Sequence, residues 1–248
     1  MILLLDVGNT RIKWATVDDA GIMTLGRSLQ HAGRDIPSVA EEAWHSLPRP
    51  ERVIVSNVAG RGFEGAFRVW AQSVWGMEPR FIVAQSKGWG VTNAYVEPDR
   101  LGADRWAALV AARRLDKGDV CIIDCGTALT IDALSRSGKH LGGLIVPGLA
   151  LMRQSLIANT QGISDEGEGT IALLARCTRD AVTGGTLYAT VAVIDRVITD
   201  IVAELGRTVT CVITGGDAER IMPLLTVKCR YEPDLVLQGL KIMAEGKV

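Results

Sequence analysis

The sequence predicts an α/β protein built from two similar halves, on three observations. An apolar run too short for a helix, ending in an Asp and a glycine turn, occurs twice. The copies are Leu3-Leu4-Leu5-Asp6-Val7-Gly8-Asn9-Thr10 and Cys121-Ile122-Ile123-Asp124-Cys125-Gly126-Thr127-Ala128, 118 positions apart in a chain of 248 residues. Each reads as a buried strand delivering a carboxylate into a tight loop. Strand-like and helix-like segments then alternate after each copy, and a late Thr214-Gly215-Gly216-Asp217 supplies a further strand-end turn. Two such Asp loops facing each other would hold a nucleotide between them.

The elements follow in order. Arg11 to Val17 alternates as the second strand of a hairpin, closed by the turn Asp18-Asp19-Ala20-Gly21. Val39 to Leu47 has weak helical character, and Arg52 to Val58 is a strand. Phe63, Phe67, Trp70 and Val74 form one stripe of an amphipathic helix, read as core. Phe81 to Val83 is a short strand, and Gly88 to Tyr95 a loop or irregular strand. Leu101 to Leu115 is the strongest helix of the first half. The polar break at Asp116-Lys117-Gly118-Asp119 divides the chain into residues 1–117 and 118–248.

In the second half the repeated Asp strand is followed by Leu129 to Leu134, a turn at Ser135 to Lys139, and Gly142-Gly143 leading through Pro147-Gly148 into a helix from Leu149 to Ile157. A polar, glycine-rich loop covers Asn159 to Gly169. A long helix runs from Thr178 to Leu205, with Gly184 and Gly185 expected to permit close helix packing. Val209 to Ile213 is a strand, the counterpart of Val53 to Val58, and the last helix starts near Asp234. The segment from Gly21 to Arg52 carries no assignable motif.

Composition, 48% apolar and 22% charged, is that of a globular protein with a sizeable core. A net charge of -1 gives no footprint for a phosphate backbone, so no nucleic-acid partner is expected. The five cysteines lack C-x-x-C spacing and are odd in number, as free thiols in a reducing compartment would be. No leader pattern and no 18-residue apolar span occurs, so a cytoplasmic location and no membrane partner are expected. His31, His45 and His140 lie outside every motif and are assigned to the surface.

A phosphate needs backbone N–H groups with no side chain in the way, and positive charge nearby. Gly8 permits that approach, Asn9 and Thr10 offer side-chain donors, and Arg11 and Lys13 bring charge to the same hairpin. Asp6 suits a magnesium ion held largely through water and nucleotide oxygens. Neither G-x-G-x-x-G nor G-x-x-x-x-G-K-[ST] is present, so a Rossmann or P-loop site lacks its defining spacing.

Paired Asp-x-Gly loops with a late glycine turn resemble the superfamily of actin and hexokinase, whose duplicated ribonuclease H-like domains, as in actin-like ATPases, enclose a central cleft. Within it the chain resembles type III pantothenate kinase, also described as the Bvg accessory factor family. The matching residues are Asp6-Val7-Gly8-Asn9-Thr10-Arg11-Ile12-Lys13-Trp14, Tyr95-x-x-Pro98-x-x-Leu101-Gly102-Ala103-Asp104-Arg105, Asp124-Cys125-Gly126-Thr127-Ala128-Leu129-Thr130, Gly142-Gly143 with Pro147-Gly148, Thr178-x-x-Ala181, and Thr214-Gly215-Gly216-Asp217.

That resemblance implies ATP-dependent phosphorylation of pantothenate to 4'-phosphopantothenate, the first step of coenzyme A biosynthesis. Asp6, Val7, Gly8, Asn9, Thr10, Arg11, Ile12 and Lys13 would hold the ATP phosphates, with Thr127 contacting the nucleotide. Tyr95, Gly102, Ala103, Asp104, Arg105 and Thr178 would form the pantothenate pocket, with Asp104 as catalytic base. Asp124 would coordinate a monovalent cation, K+ or NH4+, alongside Mg2+ carried with ATP. A homodimer is also implied. Cys125 stands where the family usually has a small residue such as alanine. The alternatives are a kinase of another small hydroxyl acceptor and a nucleotide-binding regulatory protein.

Overall fold

Alternation along the first strand decides which face of its sheet is buried against which helices. In the computed structural model, which describes residues 1–246, β1 (Ile2–Val7) pairs antiparallel with β2 (Arg11–Val17), which carries the short edge strands β3 (Met23–Leu25) and β4 (Leu29–Gln30). Helix α1 (Ile36–Trp44) leads to β5 (Arg52–Asn57), parallel to β1, and α2 (Arg61–Trp75) to β6 (Arg80–Phe81). The sheet order is β3-β2-β1-β5-β6. Helix α1 begins earlier than its apolar pattern suggests, because the Asp35 side chain accepts the Ser38 N–H at 2.7 Å and caps it.

Leu3, Leu5 and Val7 of β1 and Val53 and Val55 of β5 pack with Trp44 of α1 and with Phe67, Ala71 and Trp75 of α2. The expected aromatic stripe is therefore core through Phe67, flanked by Phe63 and Trp70, but Val74 points outward and Trp75 takes its place. The buried residues Phe67, Ala71 and Trp75 recur every four positions, so at about 100° per residue the core-facing stripe drifts about 40° per step round the helix, towards Trp75 and away from Val74. Strict alternation leaves Leu4, Asp6, Ile54 and Ser56 on the opposite face.

That second face is covered by two helices distant in sequence. A tight hairpin of β7 (Lys87–Gly88) and β8 (Val91–Thr92), where an irregular stretch was expected, precedes α3 (Ala103–Leu115). Helix α3 lies against β5, and the last helix, α7 (Leu235–Ala244), lies against α3, β1 and β5. The first compact unit thus comprises Met1–Lys117, Gly138–His140 and the chain from Asp234 onward. The 118–248 half expected from the polar break does not keep its last helix, whose Leu235, Leu237, Leu240 and Met243 are buried in the first unit.

The second unit, Gly118–Ser137 with Leu141–Pro233, repeats the same plan. Strands β9 (Val120–Cys125), β10 (Ala128–Leu134), β11 (His140–Pro147), β12 (Thr210–Thr214) and β13 (Cys229–Tyr231) are ordered β11-β10-β9-β12-β13. β9–β10 is antiparallel and β9–β12 and β12–β13 parallel, matching β1–β2, β1–β5 and β5–β6 in the first unit. Helices α4 (Leu149–Asn159), α5 (Thr178–Leu205) and the short α6 (Ala218–Ile221) complete it. Gly184 lies against the backbone of Ala172, in the segment before α5, rather than against another helix. Among the described residues no helix is long and apolar enough to cross a membrane.

Candidate active site

In the first unit the candidate residues meet where β1 and β5 end. Asp6 sits in register with Lys13 on β2 and with Ser56 on β5, so the three side chains share the face that α3 and α7 cover. Val58 N–H donates to Val7 O at 2.9 Å, and the Val58 side chain lies beside Gly102, where α3 begins. The helix start and the Asp6 strand end are thereby joined through one residue. Ser56 is fully buried, and its Oγ has no hydrogen-bond partner among the described residues. Buried hydroxyls are nearly always satisfied, which sets this one apart on the face that carries Asp6. Sequence reasoning missed it, because a single Ser inside a β-branched strand carries no local signal.

The turn itself is closed by Gly8 N–H donating to Arg11 O at 3.0 Å. Asn9 is exposed at its tip, whereas the side chains of Val7 and Ile12 belong to the core, so those two offer a ligand only their backbone. Arg11 does not extend over the turn: its Nε donates to Ser28 Oγ at 3.0 Å and its Nη2 to Ser28 O at 3.1 Å. Lys13, opposite Asp6, is the basic group of the hairpin on the site face.

At the start of α3, Gly102 has no side chain to cap the helix, and the Asp104 carboxylate supplies the acceptor. Asp104 Oδ1 accepts the Arg105 N–H at 2.7 Å. A Cβ added to Gly102 would stand 2.5 Å from that same oxygen, so glycine is needed there for the carboxylate to fold back. Arg105 is 6% exposed, donates from Nη1 to Tyr95 Oη at 2.8 Å, and lies 5.6 Å from the Tyr95 ring centroid. The Tyr95 ring in turn stacks on His140, at 6.2 Å between centroids and 18° between planes.

Asn93 sets Tyr95 in place: its Oδ1 accepts the Tyr95 N–H at 3.0 Å while its Nδ2 donates to Pro98 O at 3.1 Å. Nothing in the sequence flags Asn93 beyond its turn-forming side chain. His140 and His31 are buried, not superficial as their polar neighbours suggested, and His45 alone is exposed. Ala103 is buried and contributes packing.

The second unit carries the other candidates. Asp124 pairs with Thr130 and Asp6 with Lys13, so the second hairpin is one residue shorter, and it holds no basic side chain. Gly126 N–H donates to Ala128 O, and Thr127 O accepts Gly148 N–H at 3.1 Å. Gly215, at φ +97°, brings the late glycine turn against the Cys125 backbone, while Asp217 N–H donates to Cys125 O at 3.0 Å. Gly216 faces open space. Burial pushes the Asp217 carboxyl above its usual value, opposed by Arg220. Thr178 is exposed on the first turn of α5 and is not its N-cap, since the helix opens at Cys177.

Among the described residues no three His, Cys, Asp or Glu side chains gather to hold a metal. Single carboxylates beside the open backbone of the two hairpins suit ions whose other ligands are water and phosphate oxygens.

A family profile described as type III pantothenate kinase matches residues 2–200. Type III pantothenate kinases from Nitrosococcus oceani and Azoarcus sp. are 45% and 40% identical to the chain, covering 99% and 98% of it and 94% and 90% of their own lengths. Among solved structures, a Baf family protein from Campylobacter jejuni shares the fold at TM-score 0.61 and 20% identity over 98% of both chains. An activator of 2-hydroxyisocaproyl-CoA dehydratase from Clostridium difficile does so at TM-score 0.54 and 13% identity, over 100% of this chain and 97% of that one. The fold is thus the two-domain actin-like one, and the chain belongs to the type III pantothenate kinase family.

Proposed function

We propose that the chain transfers the γ-phosphoryl group of ATP to the primary hydroxyl of pantothenate, giving 4'-phosphopantothenate and ADP at the first step of coenzyme A biosynthesis. The observation that carries this reading is the Tyr95–Arg105–Asp104 cluster at the start of α3, next to the end of the Asp6 strand. Phosphoryl transfer passes through a loose transition state, so alignment and charge neutralisation dominate. Asp104 accepts the hydroxyl proton as the oxygen bonds to phosphorus and the bond to ADP breaks. Arg105, held by Tyr95 and almost wholly buried, is the cation for the pantothenate carboxylate. Gly102 and Ala103 shape the pocket through backbone, and Thr178 contributes its exposed hydroxyl.

The Asp6 to Lys13 hairpin takes the ATP phosphates, with Thr127 contacting the nucleotide. Asp6 would hold Mg2+, chiefly through water, and the Ser56 hydroxyl on the same face would meet that hydration. The magnesium supplies neutralisation of developing phosphate charge. Asp124, in a hairpin without basic side chains, binds K+ or NH4+. Exposed Leu144 and Ile145 on edge strand β11, with Leu173 and Leu174 beyond α4, support a homodimer. A cytoplasmic location goes with this role.

The test is ADP release in a coupled assay with pantothenate, with and without potassium. Turnover that needs both supports the reading, and turnover with sugars but not pantothenate refutes it. Asp124→Asn is expected to abolish the potassium response while leaving the fold intact.

A further inference from the structure

The segment between Gly21 and Arg52, which carries no motif, runs beside the phosphate hairpin. β4 pairs with β2 through Arg11 to Gln30 and Ile12 to Leu29, and the chain then turns so that His31 and Ala32 N–H both donate to Thr10 O, at 3.0 and 3.4 Å. The His31 ring reaches back to the same turn: Nε2–H donates to Gly8 O at 2.6 Å. Its ring edge packs on Phe63 at 5.5 Å and 71°, and the residue is 8% exposed.

We infer that His31 is a positioning residue for nucleotide binding, fixing the direction in which the turn presents its N–H groups. A trans peptide points its N–H opposite to its C=O. Holding Gly8 O against His31 therefore turns the Asn9 N–H the other way, and the two bonds to Thr10 O do the same for the next unit but one. An anion is bound by such N–H groups only when they are already aimed, because a turn free to rotate loses that alignment. His31 does not touch the ligand. Its effect passes through the Gly8 carbonyl and is specific to groups the turn contacts.

The inference rests on the hairpin being the phosphate site, and its test needs no acceptor. Affinities for magnesium ATP and for AMP are measured by titration calorimetry in the wild type, His31→Phe, which keeps the ring against Phe63 but removes the donor, and His31→Gln, whose amide places an N–H donor at a similar reach. His31→Phe is expected to weaken magnesium ATP about tenfold, the effect of one lost hydrogen bond, with AMP within about twofold, while His31→Gln recovers most of the loss. In turnover, KM for ATP rises and KM for pantothenate stays. Unchanged ATP binding in His31→Phe, or an equal loss for ATP and AMP, or for Phe and Gln, overturns the inference. Should the Phe variant not fold, His31→Met removes the donor with comparable bulk. If pantothenate is no substrate, the binding series still decides, so failure of the activity and failure of the positioning role are separate results.

Discussion

Gly102→Ala tests how the carboxylate of Asp104, the proposed base, is positioned. The added Cβ would stand 2.5 Å from Asp104 Oδ1, about 0.8 Å closer than the ~3.3 Å at which carbon and oxygen ordinarily meet. The backbone at Gly102, φ -52° and ψ 140°, is open to alanine. The strain therefore falls on the Asp104 side chain, which swings away and gives up the 2.7 Å bond from the Arg105 N–H. A hydrogen bond to a charged group is worth about 1.5–3 kcal/mol, which corresponds to a fall in kcat of about tenfold to a hundredfold if the carboxylate is the base. Stability falls by less than the lost bond is worth, because replacing glycine by alanine restricts the unfolded chain and returns about 0.4–1 kcal/mol. The assay pairs coupled ADP release with a thermal melt. A kcat within twofold of wild type refutes the positioning argument, and a fall in Tm of more than about 10 °C refutes the claim that the backbone tolerates the change.

Other outcomes follow from single contacts. Asp104→Asn keeps the side-chain volume and removes the proton acceptor, and kcat should fall by about 10²–10⁴ with KM for ATP nearly constant. Asp119 is held by Arg207, whose Nη2 lies 3.0 Å from Oδ1, and by the Arg136 N–H; these pull its carboxyl down to about 2. Because the folded value lies below the ordinary one, the stability it contributes is present above about pH 4 and is lost as pH falls towards 2. Asp119→Asn should cost about 2 kcal/mol, less than the ~3–5 kcal/mol of a fully buried broken pair because Arg207 is partly solvated, and should flatten the acid limb of a Tm–pH curve. Cys125→Ala should leave turnover within about twofold, since the thiol is buried, its ionisation is pushed up by burial, and its backbone makes the contacts to the glycine turn. Brief alkylation of the folded protein should label Cys177, the one fully exposed thiol among the described residues, detected by peptide mass.

The two Asp hairpins were legible because an apolar run ending in Asp-x-Gly has few structural outcomes, and β5 and β12 could be matched by their position after them. What escaped were features whose signal is not local. The edge strands β3 and β4 are two or three residues long and are held by pairing to β2, so no periodicity announces them. His31 acts through backbone carbonyls, which leave no imprint on the residues they belong to. Ser56 matters through its register with Asp6, a relation between strands 50 positions apart. Arg11 shares its face of β2 with Lys13, yet its guanidinium is tied to Ser28, a partner its sequence neighbours do not announce. Thr178 reads as a cap by residue type, but the helix opens one residue earlier.

The allegiance of the last helix bears on how the chain is made. The second unit is nearly continuous in sequence, whereas the sheet bearing the Asp6 hairpin needs α7 to cover Leu4 and Ile54. During synthesis α3 alone is available to that face until α7 leaves the ribosome, so the Asp6 strand waits on a helix far along the sequence. A nascent chain stalled before Asp234 would leave the part of that face covered by α7 open to water, and a stop codon within α7 would damage the sheet that carries Asp6.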